Sequence, residues 1–435
     1  MKYLVLSIFG VLIWFNGSVI LIQDILFSRV YLNAGLFKAI YVMLIGLVYV
    51  SDVVKDVRVN EFSRIYISIW VLYFISFALV FINFITTSNE SVVAFLYSTN
   101  TVHFYLLASI LIFLYPRKYM DNDSGWVVHN RKQFPSLIIL LIPFLFAIFG
   151  IFQFASGNLY LSERYLAHIN HVNVEFISGG VRGISVFSSG WTLSEMSMYF
   201  IAYCLVMMSL LRSGSRKKYQ YHAVLYTCIL VFLISVYTSL IRVSMLQVVL
   251  LFFGYYLLVV IRVRPYVFVF SSYFLSICIF VLINYLVTVD FSSLGFGEGL
   301  LNIESVLSRH RHWLKAVDEI TKNLYLGSGF SVSHQMQMHD VNIVVDNFIL
   351  SLLLFGGVIN AALSLILYMM VFVYAVLNAS KYNDFYWSVL SVFYFTVPLG
   401  ALFMDQHNTP MLLLFITFFL SMYDRAKRNT ANEHA

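Results

Sequence analysis

Charged residues are scarce in this chain, and that scarcity sets its class. Only 11% of its 435 residues are charged, and 60% are hydrophobic. Soluble domains carry about 25% charged residues. Residues 137–153 hold no charge, and such a run is close to the length that crosses a bilayer core. The composition therefore excludes a sizeable soluble part and predicts one integral membrane domain over residues 1–435, with the lipid bilayer as its environment.

Cysteine is also rare. The three cysteines all lie inside apolar runs, which excludes a disulfide framework. A cleavable signal segment is not evident, so we expect the first apolar run to remain as a helix. Histidines collect in two polar segments, but neither a cysteine nor an HExxH pattern accompanies them. We therefore predict no metal site and no cofactor.

Apolar runs between polar clusters predict about twelve membrane-spanning helices. We place them at residues 3–22, 34–51, 62–86, 98–115, 135–154, 190–211, 222–239, 243–261, 265–289, 346–377, 385–404 and 410–423. The division between the seventh and eighth helices rests only on the short segment TSLIR. The predicted fold class is all-α, a polytopic transmembrane helix bundle.

Basic residues orient this stack of helices. Eighteen of the 27 lysines and arginines fall on one set of alternate loops and eight on the other, with Lys38 near a helix start. The positive-inside rule places the richer set, and both termini, in the cytoplasm. The net charge of +6 is thus a signal of topology. Because the basic residues are spread over separate cytoplasmic segments, we expect no nucleic-acid partner.

Two long loops fall on the outer side, at about residues 155–190 and 290–345, and we expect them to cap the functional site. The second loop should contain a helix, because apolar residues recur there at helical spacing. These residues are Val306, Trp313, Val317, Ile320 and Leu324. On such a helix Arg309 leans toward the membrane, and Arg311 faces water. The alternative is an amphipathic helix that rests on the bilayer and carries ordinary surface arginines.

Three outer arginines form a candidate phosphate site. Arg182 lies in the first long loop, Arg242 in the tight TSLIR turn, and Arg309 on the predicted loop helix. The planar guanidinium group donates two hydrogen bonds at once and stays charged, which suits a phosphate. For Arg242 alone, snorkelling to the lipid headgroups is the alternative. Three arginines on one side favour a lipid-phosphate site.

Two carboxylates stand beside the same loops. Glu195 lies a turn inside the helix after the first loop, and Asp346 opens the helix after the second. Asp346 is either a helix cap or a general base aimed at the space between the loops and the membrane. His334 and His339, in the second loop, are alternative proton carriers.

Several motifs in and around these loops resemble one family in their order and sidedness. The motifs are VRGISVF around Arg182, SLIRVSML around Arg242, Arg309-x-x-x-Trp313, Gly327-x-Gly329, and Asp346-Asn347 followed by Phe355-Gly356-Gly357. Together they resemble the O-antigen polymerase and O-antigen ligase superfamily of bacterial inner-membrane polysaccharide enzymes. The rest of the chain matches that superfamily only in hydropathy and helix count.

The chain also departs from the family pattern. Ser185 and Gly190 stand where members often have glycine and proline, respectively. Asp346 stands where the ligases usually carry a histidine. The second departure favours the polymerase branch and places the family's histidine base in question.

The resemblance implies a GT-C-like bundle whose two periplasmic loops contain short helices, and a glycosyltransferase that needs no metal. Its donor would be an undecaprenyl pyrophosphate-linked oligosaccharide, used at the periplasmic face of the inner membrane. A chain-length regulator and a flippase are the partners that such an enzyme implies. The roles that follow are pyrophosphate binding by Arg182, Arg242 and Arg309, catalysis by Asp346, Glu195 and His339, and sugar binding by Trp191, Asn347 and His334.

Three alternatives stay open. An O-antigen ligase would differ only in its acceptor, the lipid A core. A secondary transporter would place ionisable residues near helix midpoints and would break matched helices in two halves. A lipid-linked oligosaccharide flippase would share the substrate but would need a polar central cavity.

Overall fold

The structure is a computed structural model, and it describes residues 5–7, 10, 40–48, 61–87, 92–113, 138–160, 176–177, 180–187, 189–211, 217–288, 303–329, 347–382, 384–403 and 408–433. The helices in chain order are α1 (Glu61–Thr87), α2 (Val92–Val102), α3 (Phe104–Phe113), α4 (Ile138–Ser156), α5 (Gly190–Leu210), α6 (Lys217–Thr238), α7 (Arg242–Tyr255), α8 (Pro265–Thr288), α9 (Ile303–Lys322), α10 (Phe348–Tyr382), α11 (Phe385–Tyr394), α12 (Val397–Phe403) and α13 (Asn408–Glu433). Residues 40–48 are helical as well. Strands β1 (Phe176–Ile177) and β2 (Gly180–Val181) form a short antiparallel hairpin.

Within those ranges, eight helical segments are long and apolar enough to cross a membrane. They are Arg64–Thr87, Ile139–Ser156, Gly190–Leu210, Tyr219–Thr238, Arg242–Ile261, Pro265–Tyr285, Phe348–Lys381 and Phe385–Phe403. Each coincides with a predicted span, so the prediction of an all-helical, multi-pass membrane protein is confirmed. The TSLIR segment does separate two helices, because Leu240 there takes a positive φ of 55°.

The other four predicted spans have different outcomes. Most of residues 3–22 and half of residues 34–51 lie outside the described residues. The span predicted at 98–115 contains the end of α2 and all of α3, which meet at His103; the His103 N–H and carbonyl still form helical hydrogen bonds with Thr99 and Leu107. The last span corresponds to a shorter apolar helix, Thr409–Tyr423. The described part of the first long loop holds the β1–β2 hairpin, whereas the second loop contains α9, a full 20-residue helix.

The centre of the bundle is formed by α5 and by the α11–α12 segment. Each is 78% buried over its membrane-spanning window, whereas the window of α8 is only 22% buried. Pairs of hydroxyl groups join α5 to its neighbours α7 and α13. Ser194 and Ser244 hydroxyls are 2.8 Å apart, and the Tyr199 hydroxyl lies 3.0 Å from that of Thr417. The peripheral helices expose apolar side chains, as contact with lipid requires.

Helix α10 does not cross the membrane as one rod, although the sequence predicts a single span there. It is interrupted at Gly357, whose φ of 65° and ψ of −173° are not helical. The rings of Phe348 and Tyr368 are 5.1 Å apart, whereas twenty residues of continuous helix would separate them by about 30 Å. The chain therefore reverses at Gly357. We call residues 348–356 the arm and residues 358–382 the stem.

A second interruption divides α11 from α12. The freed carbonyl oxygens of Phe395 and Thr396 accept hydrogen bonds from Ser272 Oγ (2.7 Å) and Gln247 Nε2 (3.0 Å). Such pairing is required wherever backbone is exposed within a membrane. Beyond this break, α12 forms the floor of the recess described below.

Helix α13 begins well inside the bundle. Ser421 Oγ donates to Asp384 Oδ2 (3.2 Å), which aligns residue 421 with the start of α11. Pro410 lies eleven residues earlier, about 16 Å along a helix, or roughly half of a bilayer core. Its carbonyl accepts from the Tyr394 hydroxyl at 2.8 Å. Among the described residues, those at the centre of the bundle therefore stop short of the side where α5 begins. We call this side the motif end, and we call the region beyond α12 on this side the recess.

The predicted orientation can be tested by cysteine labelling. In a chain whose three cysteines are replaced, cysteine at exposed Asn158 or Lys315 should react with a membrane-impermeant maleimide added to intact spheroplasts. Cysteine at exposed Lys381, on the opposite end of the stem, should react only after lysis. Labelling of position 381 in intact spheroplasts would contradict the orientation that the basic residues predict.

Candidate functional site

A buried amide holds the first long loop in place. The Gln153 side chain, on α4, is fully buried. Its Oε1 accepts hydrogen bonds from the backbone N–H groups of Ile184 (3.1 Å) and Ser185 (2.6 Å). Its Nε2 donates to the carbonyls of Leu159 (2.9 Å) and Ser185 (3.2 Å). One side chain therefore fixes the segment that follows Arg182.

The same loop segment packs against the turn before Arg242. The Gly183 N–H donates to the Thr238 carbonyl at 3.0 Å. A Cβ on Gly183 would lie 2.6 Å from the Gly150 carbonyl oxygen, so only glycine permits this approach. Two arginine-bearing motifs that are about sixty residues apart in sequence are thereby brought together. Arg182 is half-buried, whereas Arg242 is exposed at the N-terminus of α7.

Helix α9 packs against the arm and against α8. Trp313, Ala316 and Ile320 form its buried face, and the ring of Trp313 stacks on that of Phe280 at 5.8 Å. Arg311 is exposed, on the side predicted to face water.

The predicted apolar face of α9 was wrong at two positions. Val317 and Leu324 are 42% and 39% exposed, and Ala316 takes the buried place instead. Leu324 is exposed because the helix ends at Lys322. The register puts position 309 four residues before Trp313, on the face that packs against the bundle. The Arg309 side chain itself lies outside the described part of the structure.

The Gly327-x-Gly329 motif is hydrogen-bonded to the Phe355-Gly356-Gly357 motif, where α10 reverses. We call this set of contacts the lock. Backbone N–H groups of Ser328 and Gly329 donate to the carbonyls of Leu354 (2.8 Å) and Phe355 (2.9 Å). Those carbonyls are available because the arm ends there. A Cβ on Gly327 would collide with the Phe355 carbonyl oxygen.

The lock has two further bonds. The Val358 N–H donates to the Leu324 carbonyl (2.9 Å), and Asn83 Nδ2 on α1 donates to the Gly327 carbonyl (2.9 Å). The end of the second loop is therefore anchored to both limbs of α10 and to α1.

Polar side chains collect beneath the first-loop motif. Glu195 is 3% exposed and lies within electrostatic range of Tyr394. Trp191, one turn earlier on α5, is also buried, and its ring lies against Gly400 of α12 together with the Gln247 amide. Within the described residues, Trp191 Nε1 and Gln247 Oε1 are buried without a hydrogen-bond partner. The site can thus offer both a donor and an acceptor to a polar group.

Asn347 begins the arm on the other side of the recess. Its Nδ2 donates to the Leu402 carbonyl on α12 (2.9 Å), and its Oδ1 accepts from the Leu350 N–H (3.1 Å). Its amide therefore caps the arm and ties it to α12. Asp346, His334 and His339 lie outside the described residues.

Helix α12 joins the two sides of the site. Gly400 contacts Trp191 and the Gln247 amide, and Leu402 accepts from Asn347. These two α12 residues are separated by about 3 Å of helix rise. The segment that carries Glu195 and the segment that follows Asp346 therefore meet on one short helix at the floor of the recess.

Sequence reasoning missed Asn83, Gln153, Gln247 and Gly400. The two glutamines carried a readable signal, because a lone amide inside an apolar helix needs a partner. Asn83 and Gly400 carried none, since their importance depends on which helix lies opposite. Among the described residues, no group of three or more His, Cys, Asp or Glu side chains could hold a metal ion.

Removing the Gln153 amide should release the first loop. Alanine at Gln153 leaves two buried N–H groups without an acceptor, at a cost of about 1–3 kcal/mol each. We expect faster tryptic cleavage after Arg182 than in the wild type. Asn284→Ala is the matched control, because the hydrogen bond of that amide among the described residues stays within its own helix, to the Phe280 carbonyl. Equal cleavage rates in both variants would contradict the clamp.

Comparison with family models, characterised proteins and solved structures finds no match to this chain.

Proposed function

We propose that this protein is a polysaccharide polymerase of the O-antigen type, which joins undecaprenyl pyrophosphate-linked repeat units by glycosyl transfer at the periplasmic face of the bacterial inner membrane. One observation carries the proposal: Trp191, Gln247 and Asn347, from three different segments, all contact α12. It unites the first-loop and second-loop motifs at a recess in a membrane helix bundle. A lipid-linked substrate can reach such a recess from the bilayer while its sugars remain in water.

The arginines supply the electrostatic part of the reaction. Transfer breaks the bond between the sugar anomeric carbon and the pyrophosphate, and the departing pyrophosphate gains negative charge. Guanidinium groups placed before the reaction stabilise that charge as it develops. Arg182 and Arg242 belong to adjoining segments at the motif end. Arg309 belongs to α9, whose Trp313, Ala316 and Ile320 are buried against the bundle, and we assign its guanidinium group to the same pyrophosphate.

The proton of the acceptor hydroxyl needs a base. Asp346 immediately precedes Asn347, whose side chain is fixed to α12. A carboxylate at that position would border the recess, so we assign it the general base. Glu195 lies deeper and is nearly fully buried, which suits a secondary polar contact. Trp191 and Asn347 are assigned to sugar contact, with His334 and His339 as further loop candidates.

Asparagine at Asp346 removes the proposed base without changing the cap of the arm, which Asn347 supplies. Asparagine keeps the size and polarity of aspartate, but it cannot accept a proton at neutral pH. We expect Asp346→Asn protein to remain abundant in the membrane while chain growth stops and single repeat units accumulate on the lipid. A gel of the extracted glycans, beside an immunoblot of the protein, measures both. Full chain growth with asparagine would exclude this base and transfer the role to His334, His339 or Glu195.

A transporter or flippase is the second candidate, and specific observations favour it. Two membrane segments are interrupted, at Gly357 and at Phe395–Thr396, and Glu195 is a buried acid within a span. Transporters use broken helices to bind ions and substrates. Here, however, both freed carbonyls of the α11–α12 break are occupied by side chains. The two interruptions also lie in consecutive segments, whereas a transporter would break corresponding helices of two halves.

Genetic complementation tests the proposal and separates the polymerase from the ligase. Cells that lack the gene should carry single repeat units, and the wild-type gene should restore a ladder of longer glycans. A polymerase forms long chains on undecaprenyl pyrophosphate even when the lipid A core acceptor is absent. A ligase would leave chain length on the lipid unchanged and would instead abolish transfer to the core.

A further inference from the structure

A cavity of about 140 Å³ lies at the base of the arm, below Asn347. Its walls come from α8, from both limbs of α10, from α12 and from the start of α13. Phe348, Tyr368 and Phe372 present rings to it, and Ala401 and Leu402 close it from the α12 side. The walls are almost wholly apolar, so water gains few hydrogen bonds there.

The cavity reaches the lipid-facing surface of the bundle. Ile277 lines it and is 54% exposed on α8. Ile277 is the thirteenth of the 24 residues of that helix, so the mouth lies near the middle of a membrane span. At that depth a bilayer holds hydrocarbon chains and no headgroups.

An apolar void of this kind does not stay empty beside hydrocarbon. The atoms that line a void lose dispersion contacts on one side, and a chain that enters restores them. Of the polar side chains that line the cavity, Tyr394 donates its hydroxyl to the Pro410 carbonyl, and Ser276 Oγ is buried without a hydrogen-bond partner among the described residues. The lining therefore offers little to a polar ligand. The mouth adjoins the terminal segments of the acyl chains of the bulk lipid, which is the most abundant hydrocarbon at that depth.

We propose that this cavity is a resident binding site for one acyl chain of a bilayer phospholipid. The chain enters beside Ile277 and ends against Ala401 and Leu402. There it packs between the arm and α12, the two segments that the Asn347–Leu402 hydrogen bond joins. This site is independent of the glycosyl-transfer proposal, because it depends only on the bilayer and on the apolar walls.

Photolabelling tests the site directly. The full chain is reconstituted in nanodiscs that contain a phosphatidylethanolamine with a diazirine at the end of one acyl chain. After illumination, labelled residues are mapped by mass spectrometry. We expect label on residues 397–402, since α12 is a central segment that a chain reaches through the cavity. The lipid-facing side of α8, at Phe270 and Phe274, should be labelled as ordinary bilayer contact.

Two tryptophan variants provide the matched comparison. Ile277→Trp blocks the mouth and should lower the α12 label severalfold, without changing the label at Phe270 and Phe274. Val281→Trp lies one turn further along the same exposed face, outside the cavity lining, and should change neither. Both variants alter lipid-exposed positions, so each should fold.

The other outcomes overturn the proposal. Absence of label on α12 in the wild type would show that no acyl chain enters. Equal α12 label in the wild type and in Ile277→Trp would show that the mouth is elsewhere. Unlabelled undecaprenyl phosphate and unlabelled phosphatidylethanolamine are then compared as competitors at equal concentration. If only undecaprenyl phosphate displaces the α12 label, the cavity binds an isoprenoid chain instead of a phospholipid.

Discussion

Lysine in place of Arg182, Arg242 or Arg309 is expected to slow chain growth by about 10- to 150-fold, the equivalent of about 1.5–3 kcal/mol for one bidentate charged contact. Lysine keeps the positive charge but loses the planar fork that grips two phosphate oxygens. The rate at which lipid-linked repeat units disappear in membrane vesicles measures the effect. Each variant protein should be as abundant as the wild type.

Arg311→Lys is the matched control for this series. Arg311 is exposed on the same helix as Arg309 but two residues further on, which places it on the opposite face. We expect chain growth close to the wild-type rate. Equal damage from Arg311→Lys and Arg309→Lys would mean that α9 does not present its packed face to the substrate.

Alanine at Gly357 is expected to remove folded protein from the membrane. The residue has a positive φ and extended ψ, a combination that L-residues adopt only under strain. A Cβ there would also collide with the Tyr325 carbonyl oxygen, and backbone cannot move aside as a side chain can. We expect a loss of roughly 3 kcal/mol or more. Thermal unfolding of the detergent-purified protein measures it.

Gly157→Ala controls for backbone strain alone. Gly157 has a similar positive φ of 68°, but no atom lies within 4 Å of its would-be Cβ. Its alanine variant should lose only about 1–2 kcal/mol, the usual cost of a left-handed L-residue. If both variants were equally stable, the lock between the second loop and the reversal of α10 would not hold the fold together.

The helices of this protein were largely readable from its sequence. Long apolar runs fix the position of a span because bilayer backbone must pair within its own segment. The break at TSLIR could also be predicted, because Arg242 interrupts a long apolar run. Helix α9 was predicted from its spacing, but its buried face was misjudged where the small Ala316 replaced Val317.

The reversal of α10 could not be predicted in the same way. Glycine pairs occur inside unbroken membrane helices, so the Gly356-Gly357 sequence alone does not decide direction. The direction is set by residues 324–329, which bond the carbonyls that the arm frees. The approach of Asn347 to Leu402 is non-local in the same sense, because 55 residues separate the two. The arginines on the predicted outer side indicate phosphate binding from the sequence alone. The residues that contact α12 could not be predicted, because they depend on tertiary packing.

The most direct test of the central claim is glycosyl transfer by the purified protein. The chain is reconstituted in nanodiscs with undecaprenyl pyrophosphate-linked repeat units, in the presence of a chelator and without nucleotides. We expect longer lipid-linked glycans together with released undecaprenyl pyrophosphate, and a much slower reaction with Arg182→Lys than with Arg311→Lys. Unchanged single repeat units beside a folded wild-type protein, or equal rates in the two variants, would contradict it.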